Sequence, residues 1–224
     1  MLLFYFIENS MKEKKMLRKR RGLGKEIAMG KIVYIMGKSS SGKDTIYRSI
    51  LSDKSIELKK IVPYTTRPIR LGEENGVEYF FTDEAGFKAL LQEGKVIEHR
   101  SYDTCYGVWR YFTVNDESID LDQNSYIIIG TLESYEKTAQ YFGKEKMLPI
   151  LIDLDDGVRL QRALNREKKQ KAPKYEEMCR RFLADSQDFS DKNIEKAGVT
   201  TKFYNNNLKR CTRQIIKYIL NHMN

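Results

Sequence analysis

The chain has 224 residues, a formal net charge of +9, and 41% hydrophobic against 32% charged residues. That balance excludes wholesale disorder and suits a single α/β domain with one substantial core. Three cysteines far apart (Cys105, Cys179 and Cys211) argue for free thiols, against a zinc site or a disulfide frame. Two histidines, His99 and His222, leave little for imidazole-based nucleophilic catalysis.

In chain order, residues 1–28 come first, with eight lysines and arginines against three glutamates, so five of the nine net charges sit there. A nucleic-acid partner is therefore not expected from charge alone. The tail's apolar start, Leu2 to Ile7, is too short for a membrane span. It reads as a disordered basic extension, with an interfacial anchor or RNA-contacting arm as the alternatives.

The run Ile32-Val33-Tyr34-Ile35-Met36 predicts a fully buried strand, and Ile46 to Leu51 predicts the first turns of a helix. Between them lies Gly37-Lys38-Ser39-Ser40-Ser41-Gly42-Lys43-Asp44-Thr45. Strand, Gly-rich loop and helix in that order make a phosphate-binding loop, here the expected ATP site. Its backbone amides and the helix N-terminus aim positive charge at an anion, and Lys43 adds a mobile cation. The Ser or Thr that usually follows the lysine is replaced by Asp44, with Thr45 one place later. These two are the candidate magnesium ligands.

Further on, Leu58–Tyr64 reads as a strand, Glu78–Phe81 as a short second one, and Glu84–Leu91 as a helix capped by Thr82-Asp83. Val96–Arg100 reads as extended chain, Ser125–Gly130 as a central strand, Leu132–Phe142 as a helix and Leu148–Leu154 as another buried strand. Residues 158–189 are charged and helical with a break near Lys171-Ala172-Pro173. A strand over 198–204 and a helix over Leu208–Leu220 close the chain. Alternating strands and helices predict a parallel sheet covered on both faces.

The segment Thr65-Thr66-Arg67-Pro68-Ile69-Arg70-Leu71-Gly72-Glu73, continuing to Gly76 and Tyr79, decides the function. Two arginines three apart and a tyrosine make a clamp for a dianionic monophosphate. A second phosphate site downstream of the first is what phosphoryl transfer between nucleotides needs.

From about Gly30 onward the chain resembles the guanylate kinases. The resemblance implies a P-loop NTPase-type sheet with helices on both faces, a small monophosphate-binding insertion over about 62–112, and a helical lid over about 158–190, within a domain of 29–224. It implies phosphate binding by Arg67, Arg70, Tyr79 and Tyr106, and guanine reading by Glu98, with Thr131 on the GMP side. It further implies lid arginines Arg162, Arg166 and Arg181 beside Lys43 at the transferring phosphoryl group, and Asn205 near the adenine of ATP. The chain departs from the family where Pro63 and Val108 replace hydroxyl residues, and where Ile129-Gly130-Thr131 replaces an acidic strand end.

The reading is a cytoplasmic ATP:GMP (or dGMP) phosphotransferase using Mg²⁺, with monomer and homodimer both open. The alternatives are a same-fold kinase for another monophosphate or a phosphorylated sugar, and a non-catalytic guanylate kinase-like binding module.

Overall fold

The computed structural model describes residues 30–70, 72–104, 107–115 and 118–223, so the basic tail, Cys105 and Tyr106 lie outside it. Strand β1 (Ile32–Met36) is completely buried because all five side chains are apolar and both faces of its sheet are covered. It pairs in parallel with β7 (Tyr126–Gly130) on one side and β8 (Met147–Asp153) on the other. The short β2 (Lys59–Lys60) and β9 (Lys202–Tyr204) complete the order β2-β7-β1-β8-β9, with every pairing parallel.

Successive side chains of β1 go to opposite layers. Val33 and Ile35 meet Ile46 and Ile50 of α1 (Lys43–Leu51) and Cys211, Ile215 and Ile219 of α7 (Leu208–Met223). Tyr34 and Met36 meet Tyr135 and Ala139 of α3 (Leu132–Phe142), together with Phe189 and Val199. The parallel sheet with helices on both faces is thus present. It brings the C-terminal ends of β1, β7 and β8 to one edge, where α/β sheets bind their ligands.

A second, four-stranded sheet has the order β4-β3-β6-β5. Its strands are β3 (Tyr64–Thr65), β4 (Phe80–Phe81), β5 (Val96–Thr104) and β6 (Gly107–Val114). One face packs on α2 (Glu84–Gln92), where Phe87 lies edge-on to Phe112 with ring centroids 4.9 Å apart. Asp83 caps that helix by accepting from the Gly86 amide at 2.7 Å. The β5 strand also leans on α3, whose Lys137 donates to the His99 carbonyl at 3.0 Å.

Three elements differ from expectation. Residues 58–64 do not form one strand: Lys59–Lys60 join the central sheet and Tyr64–Thr65 the second. Pro63 lies at the crossing, and a residue without an amide donor cannot carry a ladder through. The strand β6 was not expected, although Val108 to Val114 is rich in aromatic and β-branched residues. The charged helical stretch resolves into α4 (Asp156–Glu167) and α5 (Tyr175–Asp188), with the break where Pro173 predicts it. A short α6 (Asp191–Lys196) follows, also unexpected. Cys179 and Cys211 are free thiols. Among the described residues no helix is long and apolar enough to cross a membrane.

Candidate active site

The phosphate-binding loop leaves β1 where the β8 backbone lies alongside: a Cβ at Gly37 would collide with the Ile152 carbonyl oxygen. Gly42 adopts φ +93° at the N-cap of α1, and a Cβ there would fall on Nδ2 of Asn205. Asn205 is buried at the end of β9 and donates from that Nδ2 to the Ser41 carbonyl at 2.7 Å. It therefore sits beneath the loop and holds its shape. The loop amides of Ser40 and Gly42 and the first helical amides of Lys43 and Asp44 have no backbone acceptor among the described residues. This is the free-donor arrangement of a helix N-terminus that an anion completes. The Ser40 and Ser41 hydroxyls are buried without a partner. Ser40 holds φ +64°, the one positive φ among described non-glycine residues.

Helices α4 and α5, the expected lid, are tied to this loop by residues that sequence reasoning missed. Arg159 of α4 is fully buried and donates from Nε to the Ser39 carbonyl at 3.1 Å. Its Nη1 donates to Asp156 at 2.7 Å, and its Nη2 lies 3.8 Å from Asp185 of α5. The Phe182 ring lies under the guanidinium at 4.7 Å. Asp185 in turn accepts the Ser39 amide at 2.7 Å, and Lys38 pairs with Asp156 at 3.3 Å. Two lid helices and the loop thus share one network of charge-assisted bonds.

Of the predicted lid arginines, Arg162 passes over the loop, with Nη1 3.8 Å from where a Gly42 Cβ would stand. Arg166 and Arg181 line a cavity of about 400 Å³ together with Ser39, Ser40, Lys174 and Arg70. That cavity joins the phosphate loop, the lid and the clamp loop of the second sheet. Arg181 donates to Glu177 at 2.6 Å, and Arg180 donates to the same carboxylate at 2.8 and 2.9 Å. Arg180 first, and Arg181 after it, outweigh burial and hold the Glu177 carboxyl down at about 2. Glu167 accepts the Lys174 amide at 2.6 Å and braces the turn between the helices.

In the clamp, Arg70 is exposed toward the cavity, whereas Arg67 is buried. Arg67 makes a two-pronged pair with Glu73 at 3.0 and 2.8 Å and donates to the Pro68 carbonyl at 2.7 Å. The rings of Tyr79 and Phe81 flank it at 5.6 and 5.5 Å. Glu73 also accepts the Arg70 amide at 2.8 Å, so one carboxylate shapes the whole clamp loop. Burial, reinforced by Tyr111, raises the Tyr79 phenol pKa against the pull of Arg100 and Arg67, leaving a neutral donor.

Lys43 is partly covered and lies 3.5 Å from Asp44, whose carboxylate is largely exposed; Thr45 is exposed as well. Glu98, by contrast, is buried, with Arg100 and Thr113 on its carboxylate. Thr131 caps α3 in a reciprocal capping box with Ser134, whose hydroxyl also accepts from the buried Tyr34 at 2.7 Å. Burial raises the Tyr34 phenol pKa well beyond its ordinary value. Arg100 was missed although a signal existed: on a strand, Glu98 and Arg100 two apart share one face, and opposite charges there pair. For Arg159 the sequence offers only the local pair with Asp156 three residues before it; the contacts that bury it, with Ser39 120 residues away and with Asp185, arise only on folding.

Residues 29–119 match the family model for guanylate kinase. The guanylate kinase of Caldanaerobacter subterraneus subsp. tengcongensis is 32% identical over 160 residues, covering 68% of this chain and 70% of that one. Those of Coxiella burnetii and Syntrophomonas wolfei are 39% and 37% identical over shorter segments, covering 33% and 38% of this chain. These two matches span only 35% and 44% of the relatives' own lengths. A crystal structure of guanylate kinase from Anaplasma phagocytophilum superposes with a TM-score of 0.61 at 20% identity, covering 88% of this chain and 87% of that one. That likeness is one of fold.

Proposed function

The chain belongs to the guanylate kinase family, and we propose that it transfers the γ-phosphoryl group of ATP to GMP or dGMP, giving ADP and GDP or dGDP. The observation that carries this reading is the single cavity into which loop residues Ser39 and Ser40, clamp Arg70 and lid arginines Arg166 and Arg181 all open. A donor triphosphate on the loop and an acceptor monophosphate on the clamp would meet there, under cations from three separate elements.

The acceptor's phosphate oxygen is already anionic at neutral pH, so it attacks phosphorus in line without a general base. Arg70, Tyr79 and Tyr106 orient that phosphate, with Arg67 holding the clamp loop through Glu73 and adding its charge. Lys43 and the loop amides take up charge on the β- and γ-phosphates, and Arg162, Arg166 and Arg181 neutralise the group in flight. Closure of the lid over the cavity excludes water, the competing acceptor. Domain roles follow: a core containing the loop 37–45, a monophosphate-binding part over about 62–112 and a lid over about 158–190. A cytoplasmic location suits these substrates and the free thiols.

Magnesium fits the donor set in a limited way. Among the described residues no group of three His, Cys, Asp or Glu side chains forms a cage. Asp44 offers an exposed carboxylate and Thr45 a hydroxyl beside the cradle, hard oxygen donors suited to an ion that keeps most of its ligands as phosphate oxygen and water. Bound with ATP, Mg²⁺ would screen the phosphate charge.

The test is ADP release by the purified protein with Mg-ATP against GMP, dGMP, IMP, AMP, CMP and UMP. Turnover with GMP or dGMP, reduced by roughly 100- to 1,000-fold in Lys43→Ala, is the expected result. Near-wild-type turnover in that variant would remove Lys43 from the mechanism, and a pyrimidine preference would overturn the GMP reading.

A further inference from the structure

Strand alternation puts Glu98, Arg100 and Tyr102 on one face of β5, opposite Thr113, Tyr111 and Trp109 of β6. On this face the carboxylate is not what a ligand meets. The Glu98 side chain has no solvent exposure, and Arg100, at 11%, lies over it. Glu98 Oε2 accepts Arg100 Nε at 3.2 Å; its Oε1 accepts Arg100 Nη2 at 3.5 Å and the Thr113 hydroxyl at 2.8 Å. Arg100 Nη1 donates onward to Thr131 Oγ1 at 3.0 Å. One guanidinium therefore bridges Glu98, from which guanine recognition was expected, and Thr131, expected on the GMP side. The N–H edge of guanine would have to enter where the N–H groups of Arg100 already are.

A guanidinium has five N–H donors in a rigid fork. Three go to Glu98 and Thr131; the two left, one on each terminal nitrogen, are not wholly idle, because Arg100 also bonds the Tyr102 phenol, which an entering ligand would displace. The charge stays fixed because a buried carboxylate and a hydroxyl hold it from behind. Tyrosine rings wall the same region: Tyr111 lies edge-on to both Tyr79 and Tyr102, at 5.7 and 5.6 Å. Pro63 and Val108 carry no side-chain donor.

We propose that Arg100 is the base-reading residue, donating to the acceptor edge of the purine, O6 and N7 in guanine, with Glu98 and Thr131 as its positioning residues. This rests on the GMP reading above and deepens it. Arginine's fork matches the O6/N7 pair of guanine and mismatches adenine, which puts an amino donor beside N7. The 2-amino group of guanine is then not read. Hypoxanthine, which keeps O6 and N7 and lacks only that amino group, is accepted as readily.

The test compares kcat/KM of the full-length wild-type protein for GMP, IMP and AMP at saturating Mg-ATP. GMP and IMP should agree within about threefold, with AMP lower by roughly 5- to 150-fold, the worth of one well-made fork. A GMP preference over IMP of about tenfold or more would show that a carboxylate reads the N1–H and N2–H pair, overturning this proposal while leaving the GMP reading intact. No turnover with any purine monophosphate would overturn both. Arg100→Gln should lower kcat/KM for GMP and IMP alike without moving KM for ATP, and Glu98→Gln should do so less, at an unchanged GMP-to-IMP ratio. An Arg100→Gln variant that gains on GMP relative to IMP would instead mean that Arg100 masks Glu98, and would refute the assignment. The wild-type nucleotide ratio decides the matter even if a variant fails to fold.

Discussion

Arg159→Met removes the charge that ties loop to lid while keeping an unbranched apolar side chain over Phe182. The losses can be ranked from the geometry. The bond from Nε to the Ser39 carbonyl is buried and charge-assisted, worth about 1.5–3 kcal/mol. The pair with Asp156 involves a half-exposed carboxylate and adds at most about 1 kcal/mol. Asp185, 3.8 Å away, keeps its bond from the Ser39 amide and is not abandoned. The guanidinium's own burial cost, one Nη2 lacking a hydrogen bond, is recovered on substitution. Together these give a net destabilisation of about 1–3 kcal/mol, or a fall in Tm of about 2–12 °C for a chain of this size. Because the freed carbonyl belongs to the phosphate loop, KM for ATP should rise by about tenfold while KM for GMP stays within about twofold. Calorimetry and initial-rate kinetics on the purified variant test both numbers. A Tm within about 2 °C of wild type with unchanged KM for ATP would refute the idea that Arg159 couples lid to loop.

Tyr34→Phe conserves volume and deletes one buried hydroxyl whose partner, Ser134, keeps its bonds to Thr131. The expected cost is about 1 kcal/mol in chemical denaturation, with ATP kinetics unchanged; no loss, or more than about 3 kcal/mol, would contradict that network. Burial pushes the Cys211 thiol up to about 11 from an ordinary 9. Above pH 9 the unfolded chain loses this proton and the folded chain does not, so stability falls as pH rises from about 9 to 11. Cys211→Ala, though less stable at pH 7 for want of packing, should show a shallower fall over that window; parallel curves would refute the shift. Thiol labelling mapped by mass spectrometry at pH 8 should modify exposed Cys179 in the native protein and Cys211 only on unfolding.

The parts of the protein legible in sequence are those whose cause is local. Five consecutive apolar residues followed by Gly37 to Thr45 and a helix need no distant partner to be recognised, because strand, anion cradle and helix N-terminus are contiguous. The helices at 84–92, 132–142 and 208–223 carry their caps and apolar periods within themselves. The two clamp arginines sit on one loop, but which of them faces the cavity is not legible there: Arg67 is buried against Glu73 and Arg70 is exposed.

What the tertiary structure alone decided is pairing between distant segments. Residues 58–64 read as one run of strand, yet their hydrogen bonds divide between two sheets, and partner strands set that division. Asn205 is expected near adenine from the resemblance alone, whereas its bond to the Ser41 carbonyl, a contact across 164 positions, exists only in the fold. Arg159 was one charge among many until folding removed it from water and surrounded it with Ser39, Asp156, Phe182 and Asp185. Glu98 was legible as an acid, but whether it faces a ligand or an arginine depends on the β5 face, its β6 partner Thr113 and Thr131 at the end of β7. The sequence determined which chemical groups this protein owns and the local frames that hold them. Folding determined which of those groups are already spent on one another, because a buried charge or amide must find its partner wherever in the chain that partner lies.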